Sequence, residues 1–173
     1  MSLGLDANAY TTNDHTAYLF SGTENFYEGL DELMDYVQHP YYTDANVEKE
    51  RPIIGQEIGK YDDMPPWKLY INAVQNMYHK NTVRIDTAGT VETISHITKE
   101  NLYSCYNTFY NPANSIMFIS GDFNPEEIIN EIKKRLIQKE KITSITRIYP
   151  EEPETIYRKI KEEKMDVNMP LFM

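Results

Sequence analysis

The stretch Ala45–Asp63, "ANVEKERPIIGQEIGKYDD", contains the residues on which the predicted fold and function of this chain depend. An α-helix turns by about 100° per residue, so residues seven positions apart lie within about 20° of each other. One face of a helix here would carry both apolar and acidic residues: Val47, Glu50, Ile54, Glu57 and Tyr61. We therefore expect both glutamates to point towards the interior, where an ionised carboxylate needs a partner.

The residues alone leave two interpretations of these glutamates open. The first is structural: a buried salt bridge, for which Arg51 and Arg84 are available, or a partly exposed helix edge. The second is a metal ligand with a supporting carboxylate, because a bound cation also neutralises a buried carboxylate. Pro52 lies between the glutamates and lacks an N–H group, so it predicts a kink or a new helix starting near Arg51.

A zinc site would need histidine or cysteine ligands in addition to a glutamate. The sequence contains no H-x-x-E-H, H-E-x-x-H or C-x-x-C pattern. Its four histidines are isolated from one another, and each is predicted to be a surface or hydrogen-bonded residue: His15, His39, His79 and His96. On these residues alone, the chain cannot hold a complete zinc site.

The composition argues against several classes of protein. The net charge of −10 would repel the phosphates of nucleic acid. No apolar run approaches the roughly 20 residues of a membrane span, and no signal peptide leads the chain, so no membrane contact is expected. The one cysteine, Cys105, lies in the apolar pattern "LYSCYNTFY" and is predicted to be a buried, inert thiol rather than a nucleophile. A single cysteine also favours a reducing, cytoplasmic compartment.

Strands and helices are both predicted along the chain. Extended structure is expected over residues 8–21, with a turn at "TNDH". The run "SIMFISG" predicts a buried strand, and alternating apolar residues from Met165 to Met173 predict a strand at the end of the chain. Helix starts are predicted at these positions: Thr23, the "DDMPPW" break, Thr90, Thr98 and Asn124–Pro125. The sum is an α+β fold, with helices packed on an antiparallel sheet.

Three segments together resemble a known family. They are "NAYTTNDHTAYLF", "LDELMDYVQHPYYTDANVEKERPIIGQEI" and "RIDTAGTVETISHITKENLYSCYNTFYNPANSIMFISGDF". In this order and spacing they resemble the insulinase/pitrilysin-type zinc peptidases, also called inverzincins, and bacterial processing-peptidase-like members in particular. The resemblance extends from about Asn8 to Leu136.

The resemblance implies specific site residues. In that family an H-x-x-E-H motif supplies two zinc-binding histidines and the general base, and a later glutamate supplies a third ligand. That later position falls on Glu57 in "ERPIIGQEI", and Glu50 matches an upstream glutamate that supports the site. The segment "NAYT" resembles the active-site edge strand, so Asn8, Ala9 and Tyr10 are expected to bind an extended peptide. The H-x-x-E-H motif would lie upstream of Met1.

The resemblance also implies an organisation and an activity. Residues 1–7 would be a lead-in, residues 8–138 a partial zinc-peptidase half-domain lacking its N-terminal part, and residues 139–173 a charged linker and the start of the next subdomain. The expected protein is a zinc metalloendopeptidase that hydrolyses peptides or small proteins by metal-activated water, together with a homologous second half or subunit. This chain by itself would be inactive. The alternatives are a non-catalytic homologous partner or assembly subunit, and an unrelated α+β binding domain.

Overall fold

The computed structural model describes residues 3–140, 145–154 and 159–173. This part of the chain contains a two-stranded antiparallel sheet and six α-helices, which confirms the predicted α+β class. The elements are β1 Asp6–Thr11, β2 Thr16–Ser21, α1 Phe26–Gln38, α2 Asp44–Asp62, α3 Pro65–Met77, α4 Val91–Ser95, α5 Lys99–Phe109 and α6 Pro125–Arg135, with 3-10 turns at Thr82–Arg84 and Pro112–Asn114. They form two compact units, residues 1–42 with 99–145 and residues 43–98 with 146–173.

The first unit begins with the predicted hairpin. β1 and β2 pair in an antiparallel register that places Asp6 opposite Ser21 and Thr11 opposite Thr16. The turn between them is closed by the N–H of Thr12, which donates to the carbonyl oxygen of His15 at 2.8 Å. The extended structure and the turn at "TNDH" are therefore confirmed.

Helix α1 packs on this hairpin through a small residue. Leu30 and Met34 of α1 are 1% and 5% exposed and belong to the core of the first unit. Gly29 allows the close approach, because a Cβ there would lie 2.4 Å from a methyl group of Leu5 and 2.9 Å from the ring of Phe20. The side of α1 that carries Gly29 therefore faces β2.

The start of α1 differs from the prediction. The helix begins after Asn25, not after Thr23. Asn25 has a φ of 56°, a left-handed conformation that asparagine tolerates better than most residues. Its side-chain amide donates to the carbonyl oxygen of Leu3 at 2.9 Å. This contact with the chain before β1 sets the point where the helix begins, and it cannot be read from the local sequence.

Two tyrosine contacts hold the first unit together. The Tyr106 hydroxyl donates to the carbonyl oxygens at the end of α1, at 2.9 Å from Val37 and 2.8 Å from Gln38. The Tyr18 hydroxyl on β2 lies 2.7 Å from the Tyr110 hydroxyl. Burial, and the hydrogen bond to Tyr110, raise the pKa of the Tyr18 phenol. The hairpin and α1 are thus both anchored to α5 and the residue that follows it.

Helix α2 of the second unit runs without interruption through Pro52. A new helix starting near Arg51 is therefore not formed, although proline removes one backbone donor. The Thr43 hydroxyl accepts from the N–H of Asn46 at 3.1 Å and caps the helix. The proline and glycines of α2 lower its intrinsic helix propensity. Packing against α3 and α4 stabilises the helix instead.

A carboxylate clip joins the C-terminal part of the chain to the second unit. The Glu152 carboxylate accepts from the backbone N–H groups of His79, Lys80 and Asn81 at 2.7, 2.8 and 2.6 Å. Desolvation acts to raise the pKa of Glu152, but these three donors outweigh it and the pKa lies below its usual range. We call this contact the Glu152 clip.

The predicted starts of helices α4, α5 and α6 are confirmed. Thr90 caps α4 in a capping box with Thr93, and α5 begins at Lys99, next to Thr98. The side chain of Asn124 accepts from the N–H of Glu126 at 3.0 Å and caps α6. These starts follow from local side-chain chemistry, which is why the sequence predicts them.

Two predicted strands and one predicted burial are wrong. Residues 115–120 and 165–173 have no strand structure, and Ile116 and Phe118 are 98% and 87% exposed. An apolar alternation forms a strand only where another strand takes its backbone hydrogen bonds, and among the described residues none does so here. Cys105 is exposed, because the adjacent Tyr106 occupies the buried side of α5.

The predicted domain boundaries at residues 8, 138 and 139 remain a prediction. Residues 141–144 and 155–158 of the predicted linker lie outside the described part.

Among the described helices, none combines the length and apolar content needed to cross a bilayer.

Candidate functional site

Helix α2 places Glu50 and Glu57 on a solvent-exposed stripe. Apart from Gly55, the buried and half-buried positions of α2 form a stripe of their own: Val47, Arg51, Ile54, Ile58 and Tyr61. At 100° per residue, the two glutamates lie about 60° to 80° from the centre of that stripe. Both are exposed, so the prediction that they point towards the interior is wrong. The partly exposed helix edge, left open by the sequence, describes their position.

Neither arginine pairs with these glutamates. Arg51 forms an ion pair with Glu48 and donates to the carbonyl oxygen of Ile97 at 2.7 Å. Within the described part of the chain, the side-chain carboxylates of Glu50 and Glu57 form no hydrogen bond and no ion pair. The salt-bridge interpretation is therefore not realised, and both carboxylates remain available to another group.

The exposed helix surface between the two carboxylates is apolar. Ile53 lies within about 60° of both glutamates on the helix surface and is 51% exposed. This face of α2 thus offers two free carboxylates with an exposed isoleucine between them.

The described residues do not fit a complete zinc site. They contain no group of three or more histidine, cysteine, aspartate or glutamate side chains that could hold a metal ion. Two histidines lie beside a carboxylate at the surface, His15 at 2.8 Å from Asp14 and His39 at 2.8 Å from Asp35. Any metal bound to Glu57 would need further ligands from elsewhere.

The other candidate residues lie on β1 in the first unit. All six residues of β1 are exposed, including Asn8, Ala9 and Tyr10. Hydrogen-bonded pairs alternate along an antiparallel ladder, and the bond from Thr12 to His15 makes even-numbered residues of β1 the hydrogen-bonded ones. The backbone N–H and C=O groups of Ala7, Ala9 and Thr11 therefore point to the outer edge.

This register refines the predicted binding residues. The backbone groups of Asn8 and Tyr10 are used by β2, whereas those of Ala9 face the outer edge, where a peptide would pair. Ala7 and Thr11 share this orientation but were not among the predicted residues. Only the position of the hairpin turn reveals which residues face outwards, so the "TNDH" turn was the signal that could have identified them.

Comparison with known proteins decides the family. The model of the Insulinase family (Peptidase family M16) matches residues 1–91, and the model of the Peptidase M16 inactive domain matches residues 96–173. The chain belongs to the insulinase family of peptidases. The resemblance read from the sequence is thereby confirmed.

Individual relatives agree with this assignment. The zinc protease YmfH of Bacillus subtilis is 50% identical over 169 residues, which are 96% of this chain and 40% of YmfH. The crystal structure of an M16-like peptidase from Alicyclobacillus acidocaldarius matches with a TM-score of 0.80 and 46% identity, over 87% of this chain and 36% of that one. Subunit 1 of the mitochondrial cytochrome b-c1 complex of Mus musculus is 24% identical, over 87% of this chain and 30% of that subunit. The chain thus spans less than half the length of each.

Proposed function

We propose that this insulinase-family chain is part of a zinc-dependent endopeptidase, in which α2 supplies Glu57 as a metal ligand. The observation that carries the proposal is the pair of exposed carboxylates on one face of α2, neither of which has a partner among the described residues. The name of YmfH, a zinc protease with 50% identity, supports it. The two histidine ligands and the general base would belong to an H-x-x-E-H segment outside these 173 residues.

Glu50 has a supporting role in this proposal. Seven residues separate it from Glu57, which corresponds to about 10.5 Å along the helix axis. At that spacing Glu50 is better placed to orient a neighbouring ligand than to share one ion with Glu57. Glu57 and the two histidines would hold the zinc ion, which would supply the chemistry of lowering the pKa of a water molecule and polarising the scissile carbonyl group.

The hairpin would hold the substrate. The strand segment Asn8, Ala9 and Tyr10 would align an extended peptide or a segment of a small protein along the outer edge of β1, where the backbone of Ala9 offers both an N–H and a C=O group. These residues contribute position rather than chemistry. Residues 8–138 would then be a partial half-domain, and residues 139–173 would be a charged linker and the start of the next subdomain. The expected compartment is the cytoplasm.

Cleavage of a fluorogenic peptide by the full-length protein tests this function. Replacing Glu57 by glutamine removes a charged ligand, so cleavage should be lost. Replacing Glu50 should reduce cleavage to a smaller extent. Glu48→Gln is the matched control, because Glu48 is an exposed glutamate of α2 that pairs with Arg51. Cleavage by Glu57→Gln at the wild-type rate would contradict the proposal, whereas the isolated 173-residue chain should be inactive.

A second candidate is a non-catalytic homologous partner or assembly subunit. The similarity to a cytochrome b-c1 complex subunit over 87% of this chain favours it, as does the match of residues 96–173 to an inactive domain. The sequence immediately upstream in the full-length protein separates the two candidates. An H-x-x-E-H motif there supports the peptidase, and its absence supports the partner subunit.

A further inference from the structure

The outer edge of β1 contains one backbone donor that the chain itself occupies. The side-chain oxygen of Asn8 accepts a hydrogen bond from the backbone N–H of Ala9 at 2.8 Å. The register directs this N–H away from β2, towards the edge where a further strand would pair. Asn8 therefore fills, with its own amide, the position that the carbonyl oxygen of a neighbouring strand would take.

The surroundings of Asn8 leave this contact reversible. Asn8 and all other residues of β1 are exposed, so water surrounds the side chain and can take over its hydrogen bonds when it turns away. An intramolecular hydrogen bond at an exposed position has a small net free energy, because water competes for both partners. An incoming strand can displace it.

We propose that the Asn8 side chain is a stand-in for the peptide, closing the edge of β1 when the site is empty and turning away when a peptide docks. The inference rests on the proposed role of β1 as the substrate-binding strand. Closing an exposed edge also discourages pairing between copies of the chain, a hazard for any free strand. The ligand is an extended peptide whose carbonyl oxygen bonds the Ala9 N–H.

The first consequence is that removing the stand-in strengthens peptide binding. In the Asn8→Ala variant the peptide no longer competes with an internal acceptor. Binding should tighten by about 2- to 10-fold, which corresponds to the net value of one exposed hydrogen bond. Asn13→Ala is the matched control, because Asn13 is an exposed asparagine in the adjacent turn, and its affinity should equal that of the wild type.

NMR titration of the ¹⁵N-labelled 173-residue chain measures the affinity for a peptide directly. The probe is the acetylated and amidated heptapeptide KVTATVK, whose lysines suit a chain of net charge −10. The amide signals of Ala7, Ala9 and Thr11 report docking and give the dissociation constant. In the free Asn8→Ala variant the Ala9 amide proton should also exchange with solvent faster than in the wild type, and retained hairpin signals show that the variant is folded.

The outcomes separate this inference from the function on which it rests. Tighter binding by Asn8→Ala, with faster exchange of Ala9, supports the stand-in. Equal or weaker binding, with the three edge amides still shifting, overturns the stand-in and leaves β1 as the binding strand. If the peptide shifts none of the three amides in either protein, the binding role of β1 fails and the stand-in fails with it.

Discussion

Replacing Tyr106 by phenylalanine tests how the first unit holds α1 against α5. Tyr106 is 5% exposed, and its hydroxyl donates to the carbonyl oxygens of Val37 and Gln38 at 2.9 and 2.8 Å. The same hydroxyl accepts from the Lys139 ammonium group at 3.1 Å. One oxygen atom therefore joins the end of α1, helix α5 and the segment after α6.

The expected loss of stability follows from the contacts that Tyr106→Phe removes and those that it keeps. Phenylalanine keeps the ring that stacks on Tyr110 at 4.9 Å and lies 4.3 Å from the Lys139 nitrogen. Only the donor and the acceptor of the hydroxyl are lost. Because Val37 and Gln38 are half-buried, water can replace part of the lost bonding. We expect the free energy of unfolding to fall by about 1–2 kcal/mol, or the melting temperature by roughly 2–8 °C for a chain of this size.

Urea denaturation followed by circular dichroism measures this loss. Tyr36→Phe is the control, because Tyr36 is 71% exposed and its free energy of unfolding should stay within about 0.5 kcal/mol of wild type. Combining Tyr106→Phe with Lys139→Met should cost less than the sum of the single changes, because both remove the same contact. A Tyr106→Phe variant as stable as the Tyr36→Phe control would refute the role of the hydroxyl.

Three further predictions concern stability, each checked by urea denaturation. Wild type should be more stable than Glu152→Gln at pH 7. Because folding lowers the pKa of Glu152, this difference should vanish as the pH falls through that lowered pKa; a difference that persists in acid contradicts the clip. Gly59→Ala should stabilise the chain by up to about 1 kcal/mol, since a Cβ there meets nothing within 4 Å. Gly29→Ala should destabilise it by about 1–3 kcal/mol, since its Cβ would lie 2.4 Å from Leu5.

Much of the fold is predictable because it depends on local chemistry. The "TNDH" turn and the β-branched and aromatic residues of β2 predict the hairpin. Thr90 and Asn124 predict helix starts, since their side chains accept from the backbone two or three residues later. The spacing of Val47, Ile54 and Tyr61 predicts helical structure in the region of α2, but not that α2 continues through Pro52.

The remaining features depend on contacts that are distant in sequence. Residues 115–120 have the composition of a buried strand, but a strand needs a neighbour that local sequence does not specify. The start of α1 at Asn25 depends on a bond to Leu3.

The candidate site is likewise predictable only in part from the local sequence. The spacing of Glu50 and Glu57 correctly places them on one side of α2, but a seven-residue repeat does not say whether that side is the buried one. In the structure the buried side of α2 is centred nearer Arg51 and Ile58, so the glutamates lie at its exposed edge. The identity of Glu57 as a ligand comes from the family resemblance and remains a prediction.

The zinc content of the full-length protein tests the central claim most directly. Wild type, Glu48→Gln and Glu57→Gln would be purified, dialysed against metal-free buffer and analysed by inductively coupled plasma mass spectrometry. We predict that wild type and Glu48→Gln retain their zinc while Glu57→Gln loses most of it. Equal zinc content in all three proteins would contradict the assignment of Glu57 as a metal ligand.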